Sequence, residues 1–182
     1  MHSGAVELWC VRHGEATHNV DARQRGGAVA YLDPRHFNSE LTPRGKAQAR
    51  RCALPGRPDV AVTSPLRRAM QTAHIALIPH QGVPLVVLDC LREFPNGMHT
   101  PNRLFRSQDT WRPDAEETPL ALRGRVDAFL QWVRDVKHLH HKIAVFGHTS
   151  FLEALLGRGA AQPLPHAQVV RWTLPDEASP TT

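Results

Sequence analysis

The sequence is poor in the features that would commit it to a specialised class. Its three cysteines, Cys10, Cys52 and Cys90, are odd in number, show no Cys-x-x-Cys spacing and lie in or beside apolar segments. They read as reduced core residues rather than a disulfide framework. No apolar run reaches the roughly 18 residues that a membrane-spanning helix needs. The N-terminus, Met1-His2-Ser3-Gly4-Ala5, carries neither the basic segment nor the apolar core of a secretory signal, so a cytoplasmic location is expected. Internal repeats, low-complexity tracts and domain linkers are missing as well.

What is present is ordinary for a globular chain. Its 182 residues suit one domain, burying roughly 70% of the surface exposed in the unfolded state. The composition is 41% hydrophobic and 21% charged, with a net charge of +5. The basic residues are almost all arginine and are scattered along the chain, which argues against nucleic acid or a membrane surface as partner. Arginine's planar fork suits phosphate, so a small anionic substrate fits this charge better.

The stretch Trp9-Cys10-Val11-Arg12-His13-Gly14-Glu15 ends an apolar run in a cation, an imidazole and a glycine. A strand is predicted over Val6–Val11, delivering Arg12 and His13 to the mouth of a sheet. Val20–Glu40 has no period and reads as an irregular excursion. Thr42-Pro43 has the form of an N-cap followed by a first-turn proline, predicting a helix to about Leu54. A short strand follows over Asp59–Thr63. Ser64-Pro65 again reads as cap and first turn, placing Arg67 and Arg68 where a helix presents free N–H groups, a natural anion site.

A third strand is predicted over Val83–Asp89, running to Leu91-Arg92-Glu93. Phe94–Thr118 is aperiodic but contains Phe94, Met98, Phe105 and Trp111, and reads as a packed cap loop at about 94–118. Glu116–Lys137 carries an apolar stripe at helical spacing, Lys142–Phe146 is a central strand ending at Gly147-His148, and a short helix through Phe151 and Leu156 is closed by Gly157. Gln168–Leu174 reads as an edge strand and 175–182 as a flexible tail, leaving a single domain over 1–174. Strands alternating with helices imply an α/β fold with a mostly parallel sheet and helices on both faces. The carboxyl ends of such strands share one edge, which gathers Arg12, His13, Arg67, Arg68, Glu93 and His148. Two histidines, several arginines and a carboxylate can supply a nucleophile, an anion clamp and a proton donor.

In order, Arg12-His13-Gly14-Glu15, Leu41-Thr42-x-x-Gly45-x-x-Gln48-Ala49, Ser64-Pro65-Leu66-Arg67-Arg68-Ala69-x-Gln71-Thr72-Ala73, Leu91-Arg92-Glu93 and Gly147-His148 resemble the histidine phosphatase superfamily, named for phosphoglycerate mutase. The resemblance spans about residues 6 to 157. It implies a three-layer αβα sandwich of phosphoglycerate mutase-like type, with one antiparallel edge strand, and catalysis through a phosphorylated histidine. Carried over, His13 is the phosphoryl acceptor, Arg12, Arg68 and His148 hold the phosphoryl oxygens, and Glu93 is the proton donor. Asn19 and the backbone N–H groups of Gly14 and Thr149 line the phosphate pocket.

The chain departs from mutases and sugar-bisphosphate phosphatases at Ala16 and His18, where those carry Ser or Thr and Trp, and after Glu93, where Gly97-Met98-His99-Thr100-Pro101-Asn102-Arg103 replaces a Gly-x-Trp-Glu-Gly turn. It is more similar to the short mutase-like phosphatases of plants and fungi, which implies substrate-side roles for His18, His99 and Arg103. The expected function is hydrolysis of a phosphomonoester on a small metabolite. Mutase-type phosphoryl transfer and a catalytically weak phospho-ligand-binding or regulatory protein are the alternatives. No metal or other cofactor is expected: the cluster His138, His140 and His141 lacks Cys or carboxylate partners at ligand spacing.

Overall fold

Glu7–Arg12 forms the first strand, β1, one residue on from the predicted limits, in a computed structural model that describes residues 5–25, 34–36, 38–93, 118–158 and 164–174. The other strands are β2 (Val60–Thr63), β3 (Leu85–Val87), β4 (Lys142–Gly147) and β5 (Val169–Thr173). They form one sheet in the order β3-β2-β4-β1-β5. β1 to β4 are mutually parallel, and β5 pairs antiparallel with β1 at the edge. The carboxyl ends of β1, β2, β3 and β4 therefore share one edge, as the sequence predicts.

Side-chain alternation along the strands divides the core in two. Leu8, Cys10, Val60, Val62, Ile143 and Val145 face one layer of helices, and Trp9, Val11, Ala61, Ala144 and Phe146 face the other. The first layer is α4 (Pro119–Val136), through Leu122, Val126, Phe129 and Val133, together with α5 (Thr149–Leu156), through Phe151, Leu152 and Leu155. The opposite layer contains α3 (Arg67–Ala76), which packs Ala73 and Ala76, and the residues that follow α2 (Pro43–Arg50), Cys52 and Leu54. Small residues on α3 let it approach the sheet closely, which matters because its first turn carries Arg68.

Two predicted helix starts fare differently. Thr42 caps α2, its Oγ1 accepting the Gly45 N–H at 3.0 Å, although the helix ends at Arg50 rather than Leu54. Ser64 does not cap α3, which begins only at Arg67 behind a Leu66 cap without a side-chain bond. The Ser64 hydroxyl is engaged elsewhere, accepting the Leu66 N–H at 3.2 Å and meeting His148 Nε2 at 2.8 Å. β3 is shorter than its predicted span, and the chain tightens into a 3₁₀ turn at Asp89–Leu91.

The irregular excursion predicted from Val20 is overturned in its first part. A helix, α1 (Thr17–Arg25), runs through it. Its sequence offers no apolar stripe, because the residues it buries are His18 and Asn19, so hydrophobic periodicity could not find it. The cap loop, apart from Thr118, and the tail lie outside the described residues, as do His99 and Arg103. Thr118 caps α4, accepting the Ala121 N–H. Among the described residues no helix is long and apolar enough to cross a membrane.

Candidate active site

β1 hands the chain to His13 at the sheet edge, where the His13 N–H still bonds the Gly147 carbonyl of β4 at 3.0 Å. The imidazole is 1% exposed. Its Nδ1 lies 2.7 Å from the Gly14 carbonyl oxygen, which can only accept, so Nδ1 carries the ring proton and Nε2 keeps a lone pair. Burial, reinforced by the nearby charge of Arg68, holds His13 well below the ordinary histidine range. It is a neutral imidazole with a fixed tautomer.

Three other histidines surround it. The His148 ring is edge-on at 5.2 Å between centroids, and those of His18 and His166 lie at 5.6 Å. Burial first and Arg68 second keep His148 neutral, and the same pair pushes His18 down to about 2. His148 Nε2 meets the Ser64 hydroxyl at 2.8 Å, and the other ring nitrogen, Nδ1, faces away from that contact. That atom is buried without a hydrogen-bond partner among the described residues. His18 is held through Nδ1 by Ser39 at 2.5 Å.

Arg68, in the first turn of α3, is itself buried and bears electrostatically on His13, His18 and His148 alike. Arg12 leaves the end of β1 with Nη1 donating to the Leu164 carbonyl at 2.8 Å. Arg67, by contrast, is exposed and ion-paired with Glu40 at 2.7 Å, outside this cluster. Glu93 reaches the start of α5, where its Oε1 accepts the Ser150 N–H at 3.2 Å. Thr149 is the first residue of that helix, immediately after His148.

Of the expected phosphate contacts, Gly14 is engaged elsewhere and Asn19 is oriented by its own loop. The Gly14 N–H already donates to Thr72 Oγ1 at 3.0 Å, and that hydroxyl in turn donates to the Arg68 carbonyl at 2.7 Å. Gly14 is thus a structural link between the His13 loop and the Arg68 helix. Asn19 Oδ1 accepts the Ala16 N–H at 2.9 Å, which orients the amide and leaves its nitrogen as the donor for a phosphate oxygen.

The scaffold of the loop comes from α2. Gln48 Oε1 accepts the Glu15 N–H at 2.7 Å, the Thr42 N–H donates to the Glu15 carbonyl at 3.0 Å, and Ala16 bridges Leu41. Burial raises the Glu15 carboxyl, but bonds from Arg23 and Thr42 and the charge of Arg44 outweigh it and leave the group below its usual range. His166 is a site residue that the sequence did not betray. It lies in an aperiodic segment, donates through Nδ1 to the His13 carbonyl at 2.8 Å, and is followed by Ala167, held at a left-handed φ of 53°. The Ala167 N–H donates to the Arg12 carbonyl at 2.9 Å, so this segment braces both Arg12 and His13.

Comparison with known proteins follows the same outline. Over 175 residues the chain is 27% identical to the adenosylcobalamin/alpha-ribazole phosphatase of Escherichia coli K12, covering 87% of this chain and 81% of that protein. Its structure is similar to that of a putative alpha-ribazole-5'-P phosphatase from the same species, at 25% identity and a TM-score of 0.64 over 92% of this chain and 89% of the other. It is also similar to TTHB049 from Thermus thermophilus, at 29% identity and a TM-score of 0.60 over 91% and 92% of the two chains. The sequence profile of the histidine phosphatase superfamily (branch 1) matches residues 8–179. Covering nearly the whole chain and the entire sheet edge that gathers Arg12, His13, Arg68 and His148, that match makes the protein a member of the histidine phosphatase superfamily.

Proposed function

We propose that the protein hydrolyses the phosphomonoester of a small phosphorylated metabolite through a phosphohistidine at His13. The observation that carries this reading is the His13–Gly14 hydrogen bond, which leaves a neutral Nε2 lone pair on a ring that packs against His148 and feels the charge of buried Arg68. In the first step Nε2 attacks phosphorus and the P–O bond to the leaving group breaks, its oxygen taking a proton from Glu93. In the second, water attacks the phosphoryl group, Glu93 recovers a proton, and the N–P bond breaks to return the lone pair to Nε2. Arg12 and Arg68 hold the phosphoryl oxygens, and loss of either is worth about 2–4 kcal/mol of transition-state stabilisation. In the tautomer with its proton on Nδ1, accepting from Ser64 through Nε2, His148 supplies a further donor, and a phosphate oxygen there removes the roughly 1–3 kcal/mol cost of leaving that buried nitrogen unpaired. The Asn19 amide nitrogen and the Thr149 N–H complete the pocket.

The named activity of the E. coli relative makes alpha-ribazole phosphate the first substrate to test. Together with a panel of sugar phosphates, nucleotides and phosphorylated acids, scored separately for released and for transferred phosphate, it distinguishes hydrolysis from mutase-type transfer. The test of the mechanism is an acid-labile, base-stable phosphoryl group on the protein during turnover. His13→Ala should lose both that group and all turnover; steady hydrolysis of p-nitrophenyl phosphate by this variant would refute the proposal.

A further inference from the structure

Glu93 stands just beyond the Asp89–Leu91 turn, and its backbone is gripped by a cation that the mechanism above does not use. Arg125, in the middle of α4, directs Nη1 at two carbonyls, those of Cys90 and Arg92, both at 2.7 Å. The Arg92 carbonyl belongs to the peptide group that contains the Glu93 nitrogen, so this bond acts one peptide from the acid. Leu91, between the two acceptors, is fully buried in the core, which fixes the turn from the other side. The same guanidinium lies 5.7 Å from the centre of the Phe151 ring in α5. That helix supplies the Ser150 N–H that the Glu93 carboxylate accepts. One side chain therefore joins the three elements that meet at Glu93: the turn before it, the helix that carries Arg125, and the helix that receives its carboxylate.

We propose that Arg125 is a positioning residue that fixes the Glu93 carboxyl where it can protonate the leaving group. The proposal rests on the reading of Glu93 as the acid. Charge-assisted bonds to two carbonyls, combined with a cation–π contact from the same planar group, suit arginine; lysine, a compact ammonium on a flexible stem, can donate to the carbonyls but does not hold both contacts in one rigid geometry. The competing role is plain electrostatics, since Arg125 is one of the charges that keep His148 neutral. A diffuse charge effect would weaken binding of every phosphate ester alike. A misplaced acid slows the transfer to His13 only for esters whose leaving oxygen needs a proton, and kcat/KM reports that step without the later hydrolysis of the phosphohistidine, which is common to all esters.

The test compares an alkyl phosphate, glycerol 3-phosphate, with p-nitrophenyl phosphate, whose phenolate leaves without help. Positioned acids contribute about 10²–10⁴-fold, so a displaced one should cost Arg125→Ala at least about tenfold in kcat/KM on the alkyl ester. On the aryl ester kcat/KM should change by no more than about threefold. Arg125→Lys should fall between, and it carries the same comparison if the alanine variant does not fold. In an E93Q background, R125A should add no further loss on the alkyl ester. Equal losses on both esters, or losses that multiply in the double variant, would overturn the positioning role while E93Q alone still showed leaving-group dependence. An E93Q enzyme indifferent to the leaving group would remove the acid role itself, and this proposal with it.

Discussion

Gly45 lies in α2, far from His13 in sequence, yet a single methyl there should disable the enzyme. A Cβ at Gly45 would stand 1.9 Å from the Glu15 carbonyl oxygen, 2.8 Å from its carbon and 2.9 Å from the Glu15 nitrogen. Real contacts of this kind do not fall below 3.0 Å, so loop and helix must separate by at least 3.0 − 1.9 = 1.1 Å. Both sides of the gap are backbone, and no side chain can rotate away. The separation works directly against the Gln48–Glu15 and Thr42–Glu15 hydrogen bonds, and Glu15 is two residues from the nucleophile. Overpacking costs about 1–3 kcal/mol and each lost hydrogen bond about 0.5–1.5, so roughly 2–6 kcal/mol of stability should go. At about 2–4 °C per kcal/mol for a domain of this size, Tm should fall by roughly 4–24 °C. A displacement of about 1 Å in the reacting group should lower kcat on p-nitrophenyl phosphate on the order of a hundredfold in whatever fraction stays folded. Gly124→Ala is the control: on the exposed side of α4 a Cβ meets nothing within 4 Å, and helix propensity should make that variant about 0.5–1 kcal/mol more stable. A Gly45→Ala enzyme with unchanged Tm and with kcat within about threefold of the parent would refute the proposed backbone contact.

That contact also explains why the site was more legible in the sequence than parts of the fold around it. Arg12, His13, Arg68, Glu93 and His148 were readable because their chemistry is concentrated where apolar strands stop, and the order of the strands puts those stops on one edge. The Gly45, Gln48 and Thr72 positions could be matched to a family pattern, but their purpose is invisible in one dimension. Each acts on a backbone group at Gly14 or Glu15 that only the folded chain brings near. Ser64 shows the limit of local rules: its cap-like setting is real, but a buried imidazole takes up the hydroxyl and moves the helix start to Arg67. α1 shows another, because a helix whose buried face consists of His18 and Asn19 presents no hydrophobic period at all. His166 and Arg125 were missed for the same reason as Gln48, since their partners are backbone groups distant in sequence.

Thr72→Val removes the acceptor of the Gly14 N–H without changing shape, so about 1–3 kcal/mol of stability should be lost in denaturant titrations and kcat should drop with it, while Thr72→Ser keeps both; a fully active valine variant would contradict the proposed bridge. Glu153 is buried with Oε1 unpartnered among the described residues, and burial, with the charge of Glu93 adding to it, raises its carboxyl. Its contribution to stability is therefore present below the unfolded-state value and lost as pH rises through the folded one, so Glu153→Gln should raise Tm at about pH 8 and leave it unchanged near pH 4. The buried histidines predict the opposite slope. His13, His18 and His148 all titrate below the unfolded value of about 6.5, so below that pH the unfolded chain binds protons that the native site refuses. Their stabilisation is complete above about pH 7 and drains as the solution is acidified: between about pH 7.5 and 5.5 each group should cost on the order of 1 kcal/mol, several together. Glu7, Glu15 and Asp59, with lowered values, act only at lower pH, whereas Glu153 acts in this window with the opposite sign, so urea unfolding in a Glu153→Gln background isolates the histidines, to which His166 adds in the same direction. Inorganic phosphate should flatten the slope, because a dianion beside the three rings favours their charged forms and offsets the repulsion from Arg68. Stability that stayed level across this window would mean that the native rings take up protons as readily as those of the unfolded chain, and stability that rose on acidification would mean that they are already protonated in the native protein; either outcome refutes a His13 held neutral, since a cationic ring has no lone pair with which to attack phosphorus.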